Sequence, residues 1–211
     1  MKDEETGSWW QQVTGEAIYG PLRGNHLKPV VMDEITFAVW KGENPSGRVL
    51  KPDPRYQGGY EAADWEARYA KFPVVTQADA KDILKPRDLV VGVVINSKER
   101  AYPMESLVHQ HGVLDEVGGV PIFIIVADDT KSVRVFERKV DDKVLELFVK
   151  EGTSGIVDSQ TGSLWNFTGK CREGELAGRQ LKQVPLLKDY WFDWKTYHPG
   201  TSIYTLGMPG K

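Results

Sequence analysis

Cysteine is nearly absent from this sequence, since Cys171 is the only one among 211 residues. One thiol cannot close a disulfide within the chain. It also cannot supply the set of thiolates that an iron–sulfur cluster or a structural zinc site requires. These kinds of site are therefore excluded for this chain, and we expect Cys171 to be a small, buried strand residue.

Long apolar runs and an excess of charge are absent as well. No stretch approaches the roughly 18 apolar residues that cross a membrane, and the charged start, Met1-Lys-Asp-Glu-Glu5, does not have the pattern of a signal peptide. The net charge of −3 offers no attraction to a phosphate backbone. The sequence thus predicts neither a membrane span nor a nucleic-acid partner, and it indicates no particular compartment.

Common catalytic signatures are also missing. The Gly-x-Ser-x-Gly elbow of serine hydrolases does not occur in the sequence. The strings Gly20-Pro-Leu-Arg-Gly24 and Gly174-Glu-Leu-Ala-Gly178 lack the Gly-Lys-Ser/Thr ending of a phosphate-binding loop. We interpret both strings as turns that need glycine backbone angles.

What the chain does contain is an internal repeat. Residues 12–50 align with residues 166–204 at an offset of 154 without a gap, and 11 of the 39 pairs are identical. At offset 155, residues 3–10 match residues 158–165. Shared Gly, Trp and Pro in one register indicate a duplication, and the first copy lacks everything that precedes Asp158 in the second. A half unit leaves strand edges and an apolar face in need of a partner.

The repeat predicts how the chain is divided. We expect the C-terminal half of a first unit at residues 1–50, a linker at residues 51–72 and a complete second unit at residues 73–211. Because fewer than about 50 residues without a disulfide or metal rarely bury enough apolar surface, we expect the half unit to dock rather than to fold alone. Residues 3–50 and 158–204 should adopt the same arrangement of strands and helix.

Short apolar runs between turn residues predict a β-rich fold. Hairpins are predicted at residues 89–102 and 120–138, and a third begins at residue 140. The run at residues 120–126 is apolar on both faces, which predicts a covered central strand. Short helices are predicted at residues 33–41 and 188–197. The predicted class is α+β, predominantly antiparallel β, barrel- or sandwich-like, with a few short helices and internal duplication.

Several strings resemble the family known as domain of unknown function 3179. They are Asp158-Ser-Gln-Thr-Gly-Ser-Leu-Trp165, Gly174-Glu-Leu-Ala-Gly178 with Leu181, Arg100-Ala-Tyr-Pro103, Asp115-Glu-Val-Gly-Gly-Val-Pro121 and Tyr197-His-Pro-Gly-Thr201. The resemblance covers residues 74–205 as one complete unit and residues 3–50 as the C-terminal half of a preceding unit. It implies a β-rich domain of unassigned activity, in proteins that often carry two such units. It would also allow an exported protein truncated at its N-terminus.

The resemblance also implies two chemically suggestive strings, Trp-His-Glu before the Val-Gly-Gly and Cys-Pro-x-Cys-Gly after it. Alignment through Val117-Gly-Gly119 puts residues 109–111 at the first string and residues 127–130 at the second. Both cysteines are replaced in this chain. A thiolate redox or metal role therefore does not carry over to this copy.

His109 and His111 remain as the local candidates for chemistry. On an extended segment, residues two apart face the same side, so both imidazoles would reach one Zn²⁺ or Cu²⁺. Asp115 or Glu105 would then be a third ligand. The alternative interpretation is a polar turn that carries two surface histidines.

Two other polar positions have structural interpretations. Asp128-Asp129 lies between two apolar runs, where Asp, Thr and Lys are ordinary hairpin-turn residues rather than ligands of a hard metal. His198 precedes Pro199 at a predicted helix end, where a capping role fits better than catalysis.

The tryptophans also allow two interpretations. Carbohydrate stacking is one, through the set Trp9, Trp10, Trp165, Trp191 and Trp194. Yet Trp10/Trp165 and Trp40/Trp194 recur at equivalent positions, as core residues of a duplicated fold do. We predict that Trp40 and Trp194 are buried equivalents on the two short helices.

Two functions from different classes follow. The first is a non-catalytic binding or assembly module without a cofactor, whose exposed strand edges and aromatic residues engage a protein partner or a second copy. The alternative is a metal-binding protein or metal-assisted enzyme that holds a divalent transition metal with His109 and His111. The incomplete repeat and the replaced cysteines favour the first.

Overall fold

Short antiparallel strands make up most of the structure, a computed structural model that describes residues 1–28, 30–74, 76, 79, 81–150 and 155–205. The strands are, in chain order, β1 (Trp9–Trp10), β2 (Ala17–Tyr19), β3 (Leu89–Ile95), β4 (Lys98–Pro103), β5 (Gly112–Val117), β6 (Val120–Val126), β7 (Val133–Glu137), β8 (Lys139–Val140), β9 (Lys143–Val144), β10 (Leu147–Val149), β11 (Ile156–Asp158), β12 (Leu164–Trp165), β13 (Cys171–Glu173), β14 (Lys182–Gln183), β15 (Leu187–Tyr190) and β16 (Ser202–Ile203). The α-helices are α1 (Phe37–Glu43), α2 (Trp65–Tyr69), α3 (Met104–Gln110) and α4 (Trp191–Tyr197), and a 3-10 helix spans Pro54–Gly59. No helix in these ranges is long and apolar enough to cross a membrane.

Three four-stranded sheets form the body of the fold. Their strand orders are β10-β11-β12-β13, β14-β7-β6-β5 and β15-β3-β4-β16. The pairing of β16 with β4 is parallel, and the other pairings between the named strands are antiparallel. The described strands do not close a barrel. The predicted β-rich α+β class, mostly antiparallel with a few short helices, is confirmed.

Strand β6 lies between β5 and β7 and has core on both of its faces. Because side chains alternate along a strand, Ile122 and Ile124 join one buried cluster, while Phe123 and Ile125 join another that also contains Trp165. The predicted central, doubly covered strand is confirmed.

A third cluster lies under helix α4, where Trp191 and Trp194 pack against Val90 and Ala101. The ring of Trp194 lies directly on β3 at Gly92, where a Cβ atom would approach the ring to 2.1 Å. Glycine is therefore required at this position because a side chain would occupy the space of the indole.

The N-terminal and C-terminal segments contain the same small hairpin. Strand β1 pairs with β2 in the register in which β12 pairs with β13, with the same irregularity after the first pair. The indole N–H of Trp10 donates to Asp3 at 2.9 Å, and that of Trp165 donates to Asp158 at 2.9 Å. The two hairpins therefore share the predicted arrangement. The prediction for the rest of the two segments is wrong, because residues 33–36 and 48–49, the counterparts of β15 and β16, are not strands.

The glycine-rich strings are turns in both hairpins. Gly20 and Gly174 adopt φ angles of 97° and 99°. A Cβ atom would lie 2.7 Å from the Cα of Ser8 in the first hairpin and 2.7 Å from that of Ser163 in the second. Positive φ and close approach both require glycine here, as the sequence predicted.

The helix predictions need correction at their N-terminal ends. Helix α1 begins at Phe37, where the side chain of Thr36 caps it, and not at residue 33. Helix α4 begins at Trp191, because residues 187–190 pair with β3 as strand β15. Helix α3 was not predicted.

Candidate functional site

His109 and His111 do not lie on the extended segment for which their shared geometry was predicted. His109 belongs to the last turn of α3, and His111 is the residue that ends this helix, with φ 57°. Both side chains are exposed. The assumption that strand alternation brings the two imidazoles to one side is therefore wrong, because the local backbone is helical.

Asp115, the predicted third ligand, is already engaged in a buried network. One of its oxygens lies 2.7 Å from Nε of Arg100 and accepts a hydrogen bond from the Tyr102 hydroxyl at 2.8 Å. Burial and the nearby Asp115 carboxylate raise the pKa of Tyr102 far above its usual range. Asp115 lines a cleft of about 1180 Å³. His111 lines a different pocket, of about 220 Å³.

The structure thus places the predicted ligands apart. Within the described ranges, no group of three or more His, Cys, Asp or Glu side chains is positioned to hold a metal ion. The smaller pocket does bring His111 next to Asp128 and Asp129, the positions that the resemblance aligned with the Cys-Pro-x-Cys-Gly string. Val39 and Glu43 of α1 also line this pocket.

The structure supports a hairpin turn at Asp128-Asp129 and a helix-end position for His198, as the sequence indicated. Asp129 lies in the turn between β6 and β7, where its Oδ1 accepts the backbone N–H groups of Lys131 and Ser132 at 2.9 and 2.8 Å. His198 is the residue that ends α4, and its Nδ1 lies 3.0 Å from Glu99. Cys171 is a buried residue of β13, as predicted.

The N-terminal segment docks on the body through one buried arginine. Arg134 of β7 donates to both oxygens of Asp33, at 2.8 and 2.6 Å, and to both oxygens of Glu43, at 2.8 and 2.6 Å. Its side chain is only 4% exposed, so water has little access to the guanidinium. The charge of the guanidinium and the two carboxylates holds residues 33–43 against the sheet.

A second set of hydrogen bonds fixes the start of α1. The Thr36 hydroxyl donates to Asp129 at 2.7 Å, and the Thr36 N–H donates to the Ser132 hydroxyl at 2.8 Å. Although burial opposes it, hydrogen bonds from Ser132 and Thr36 hold the pKa of Asp129 far below its usual range. Sequence reasoning missed these residues. The available signal was Arg134 itself, a cation between apolar residues of a predicted strand.

Six apolar side chains of the N-terminal segment are not buried: Leu27, Val30 and Phe37 are exposed, and Trp10, Leu22 and Trp40 are half-buried. We call the set Trp10, Leu22, Leu27, Val30, Phe37 and Trp40 the N-terminal face. Helix α1 has no buried residue, and its Phe37 and Trp40 rings stack on each other at 5.6 Å. The prediction that Trp40 is buried is therefore wrong, whereas Trp194 is buried as predicted.

Identical residues differ sharply in exposure between the two segments. Leu27 is 47% exposed and Leu181 is 2% exposed. Val30 is 80% exposed and Val184 is 3% exposed. Leu181 and Val184 belong to the buried clusters of the body, whereas no buried cluster of the described residues includes Leu27 or Val30. Within the described part of the chain, the hydrogen bonds of residues 1–28 are all internal to that segment.

Comparison with known proteins gives one family. The profile of the family described as "Protein of unknown function (DUF3179)" matches residues 1–201, which include both segments and the stretch between them. Neither the curated proteins nor the solved structures give a significant match to this chain.

Proposed function

The chain belongs to the family described as Protein of unknown function (DUF3179), and we propose that it is a non-catalytic binding or assembly module, which engages another polypeptide through the N-terminal face. One observation carries the proposal. Residues that are identical in the two segments, such as Leu27 and Leu181, are exposed in the first and buried in the second. We infer that the exposed apolar side chains form one patch, as is typical of a protein–protein contact.

The division of the chain is part of this proposal. Residues 1–50 are the C-terminal half of a first unit, residues 51–72 a linker and residues 73–211 a second unit, related by duplication. The shared hairpin register and the shared Trp–Asp hydrogen bonds support it. A half unit carries the apolar residues of a whole unit but only part of the sheet that covers them.

The energetic case rests on what covering the face would gain. Burying one large apolar side chain is worth about 1.5–3 kcal/mol. Leu27, Val30 and Phe37 are exposed and would contribute most of this driving force, which has to exceed the loss of translational freedom on association. The part of the face on α1 is also held in place, because the Arg134 ion pairs bind Asp33 and Glu43 at the two ends of residues 33–43. A fixed helix loses little entropy on binding.

Replacing Phe37 by glutamate tests the proposal. Phe37 is 63% exposed, so the substitution should change the stability of the chain by less than about 0.5 kcal/mol. It should, however, lower the binding of the dye 8-anilinonaphthalene-1-sulfonate and any self-association seen by sedimentation velocity at high concentration. Phe148→Glu is the matched control, since Phe148 is an exposed aromatic residue on β10. Equal dye binding by both variants and the wild type would refute a binding role for the face.

The metal-binding alternative, through His109 and His111, stays a second proposal. Its support is that His111 shares a small pocket with two aspartates. Metal analysis of the purified chain tests it directly: a stoichiometric transition metal that is lost on His109→Ala would favour this function over assembly.

A further inference from the structure

Strand β5 lies at the edge of its sheet, because it pairs with β6 on one side only. Its six residues make it the longest edge strand of the described sheets, and its pairing with β6 is regular throughout. Natural edge strands are usually short, bulged or covered, since their unpaired backbone groups would otherwise pair with another chain. A long and regular edge is therefore a candidate for the addition of a further strand.

The hydrogen bonds of the β5–β6 hairpin show which backbone groups of β5 are free. The Val126 N–H donates to the His111 carbonyl at 2.9 Å, and bonds to β6 recur at every second residue from there. The N–H and C=O groups of Leu114 and Glu116 therefore face away from β6. The Glu116 N–H donates to Oδ1 of Asp115 at 2.8 Å. The other three groups have no hydrogen-bond partner within the described ranges.

The cleft of about 1180 Å³ runs along this free edge, and we call it the β5 groove. Residues 114–117 of β5 line one side of it, while residues 98–100 of β4 and Ser202 of β16 line the other. Strands β4 and β16 belong to a different sheet, so the edge of β5 lies in a groove and not on a flat side of the molecule. A single extended chain fits this shape, whereas the sheet edge of a second copy would meet the β4 side.

The side chains of β5 indicate what such a chain carries. Leu114 and Glu116 point to the same face, because they are two residues apart on a strand. Leu114 is half-buried and packs against the cluster that contains Phe123. An aliphatic side chain opposite Leu114 on an added strand would extend this apolar contact.

The charges in the groove specify a second position. Three carboxylates line it, and two of them are engaged, since Asp115 lies 2.7 Å from Arg100 and Glu99 lies 3.0 Å from His198. The third, Glu116, is exposed and has no ion pair in the described part of the chain. A lysine or arginine opposite Glu116 would therefore form a cross-strand charge pair. The cations Lys98 and Arg138 also line the groove, but they belong to β4 and to the end of β7 and not to β5.

We propose that the β5 groove binds an extended polypeptide segment, which adds to β5 as a fifth strand of its sheet and carries Lys or Arg two residues from an aliphatic residue. Backbone groups of β5 supply the hydrogen bonds, and Leu114 and Glu116 select the side chains. This site goes beyond the N-terminal face of the function proposed above and does not depend on it.

Blocked peptides test the proposal. The probes are acetyl-Thr-Lys-Thr-Val-Thr-Val-Thr-amide and the same residues in reverse order, so that both strand directions are covered. Titration followed by NMR gives Kd, and hydrogen exchange is measured for individual amides. In the free chain, the Leu114 amide should exchange fast and the Asp115 amide, which bonds to β6, should exchange slowly. At a peptide concentration about nine times Kd, exchange at Leu114 should slow about tenfold while that at Asp115 stays unchanged.

Substitutions in β5 separate backbone pairing from side-chain selection. Leu114→Pro removes an outward N–H but no bond to β6, so the hairpin should keep its protected amides while binding weakens at least about tenfold. Leu114→Val is the matched control, since it keeps the N–H and an aliphatic side chain. Glu116→Lys should reverse the preference, so that a peptide with Glu in place of Lys binds better than the original. This reversal tests the proposal even if Leu114→Pro does not fold.

The proposal is overturned if Leu114 is already protected in the free chain, or if neither peptide protects it. It is also overturned if Glu116→Lys leaves the preference unchanged, or if sedimentation shows that two copies pair through β5 instead. Phe37→Glu should bind the peptides as the wild type does, because Phe37 does not line the groove. Failure of the β5 groove would therefore leave the function proposed for the N-terminal face untouched.

Discussion

Replacing Arg134 by methionine tests how the N-terminal segment is held. The guanidinium lies almost fully buried between Asp33 and Glu43, and it bonds to both oxygens of each. Methionine fills a similar volume in the strand without a charge, so the sheet itself should survive. The substitution therefore removes the docking interaction, together with a hydrogen bond of 3.3 Å from Arg134 to the Phe167 carbonyl within the body.

The free-energy cost of Arg134→Met can be estimated from the contacts that Arg134 makes. Breaking a buried ion pair typically costs about 3–5 kcal/mol, mostly because a charge is left buried without a partner. Here the remaining charges are Asp33 and Glu43, whose side chains are 35% and 24% exposed and regain water when the segment leaves. We therefore expect the lower end, about 3 kcal/mol, for the docking of residues 33–43. Helix α1 has seven residues and is unstable by itself, so it should unfold when it undocks.

Hydrogen exchange resolved by residue gives the readout. In Arg134→Met the amides of α1 should exchange about 100-fold faster, while those of β6 and β7 keep their protection. Arg138→Met is the matched control, because Arg138 follows the same strand but donates to the Leu145 carbonyl and not to the N-terminal segment. Unchanged protection of α1 in Arg134→Met would refute the docking role. Equal effects of the two substitutions would assign the change to the strand instead.

Further predictions concern the aromatic core and pH. Trp194→Ala should cost about 3–5 kcal/mol in denaturant unfolding, whereas Trp40→Ala should cost less than about 1.5 kcal/mol, and similar values would contradict the difference in burial. Gly92→Ala should destabilise by about 1–3 kcal/mol, because the new Cβ meets the indole; a neutral result would mean that the ring can move away. Burial, together with the carboxylate of Asp193, raises the pKa of Asp189 to about 7. A carboxyl whose pKa rises on folding loses stability as pH increases from about 4, its value in the unfolded chain, to about 7. The difference in free energy of unfolding between Asp189→Asn and the wild type should therefore favour the variant more at pH 8 than at pH 4. Denaturant unfolding at both pH values would check this.

Local chemistry accounts for the parts of the fold that the sequence predicted. The hairpin of β3 and β4 turns at Asn96-Ser97, both with positive φ, and asparagine tolerates this conformation well. The apolar run at residues 120–126 is recognisable because both faces carry large aliphatic side chains. These signals lie within about ten residues of each other, so no knowledge of the tertiary structure is needed to interpret them.

Helix α3 and the docking of residues 33–43 on the body could not be predicted from such local signals. Helix α3 has seven residues and follows directly on Pro103, which leaves too short a stretch for a helical period to be distinguished from a turn. Its two buried side chains, Met104 and Leu107, acquire their role only through the strands beneath them. Arg134 and Asp33 are 101 residues apart in sequence, and nothing local pairs them. Site residues that depend on such distant contacts require the structure.

The N-terminal segment has the same hairpin hydrogen bonds as the C-terminal segment but not the same burial. This difference is its most informative property. The hairpin network of Asp3 with Trp10 is local, so it forms whether or not a sheet lies beneath it. Burial is not local, and it depends on what packs against the hairpin. Exposed positions carry no packing constraint and can be polar without cost. Yet Val30 has the same side chain as the buried Val184, and Trp40 the same as Trp194. Core-type side chains at exposed positions such as Val30 and Phe37 are what the proposed binding role requires, since polar residues would otherwise be tolerated there.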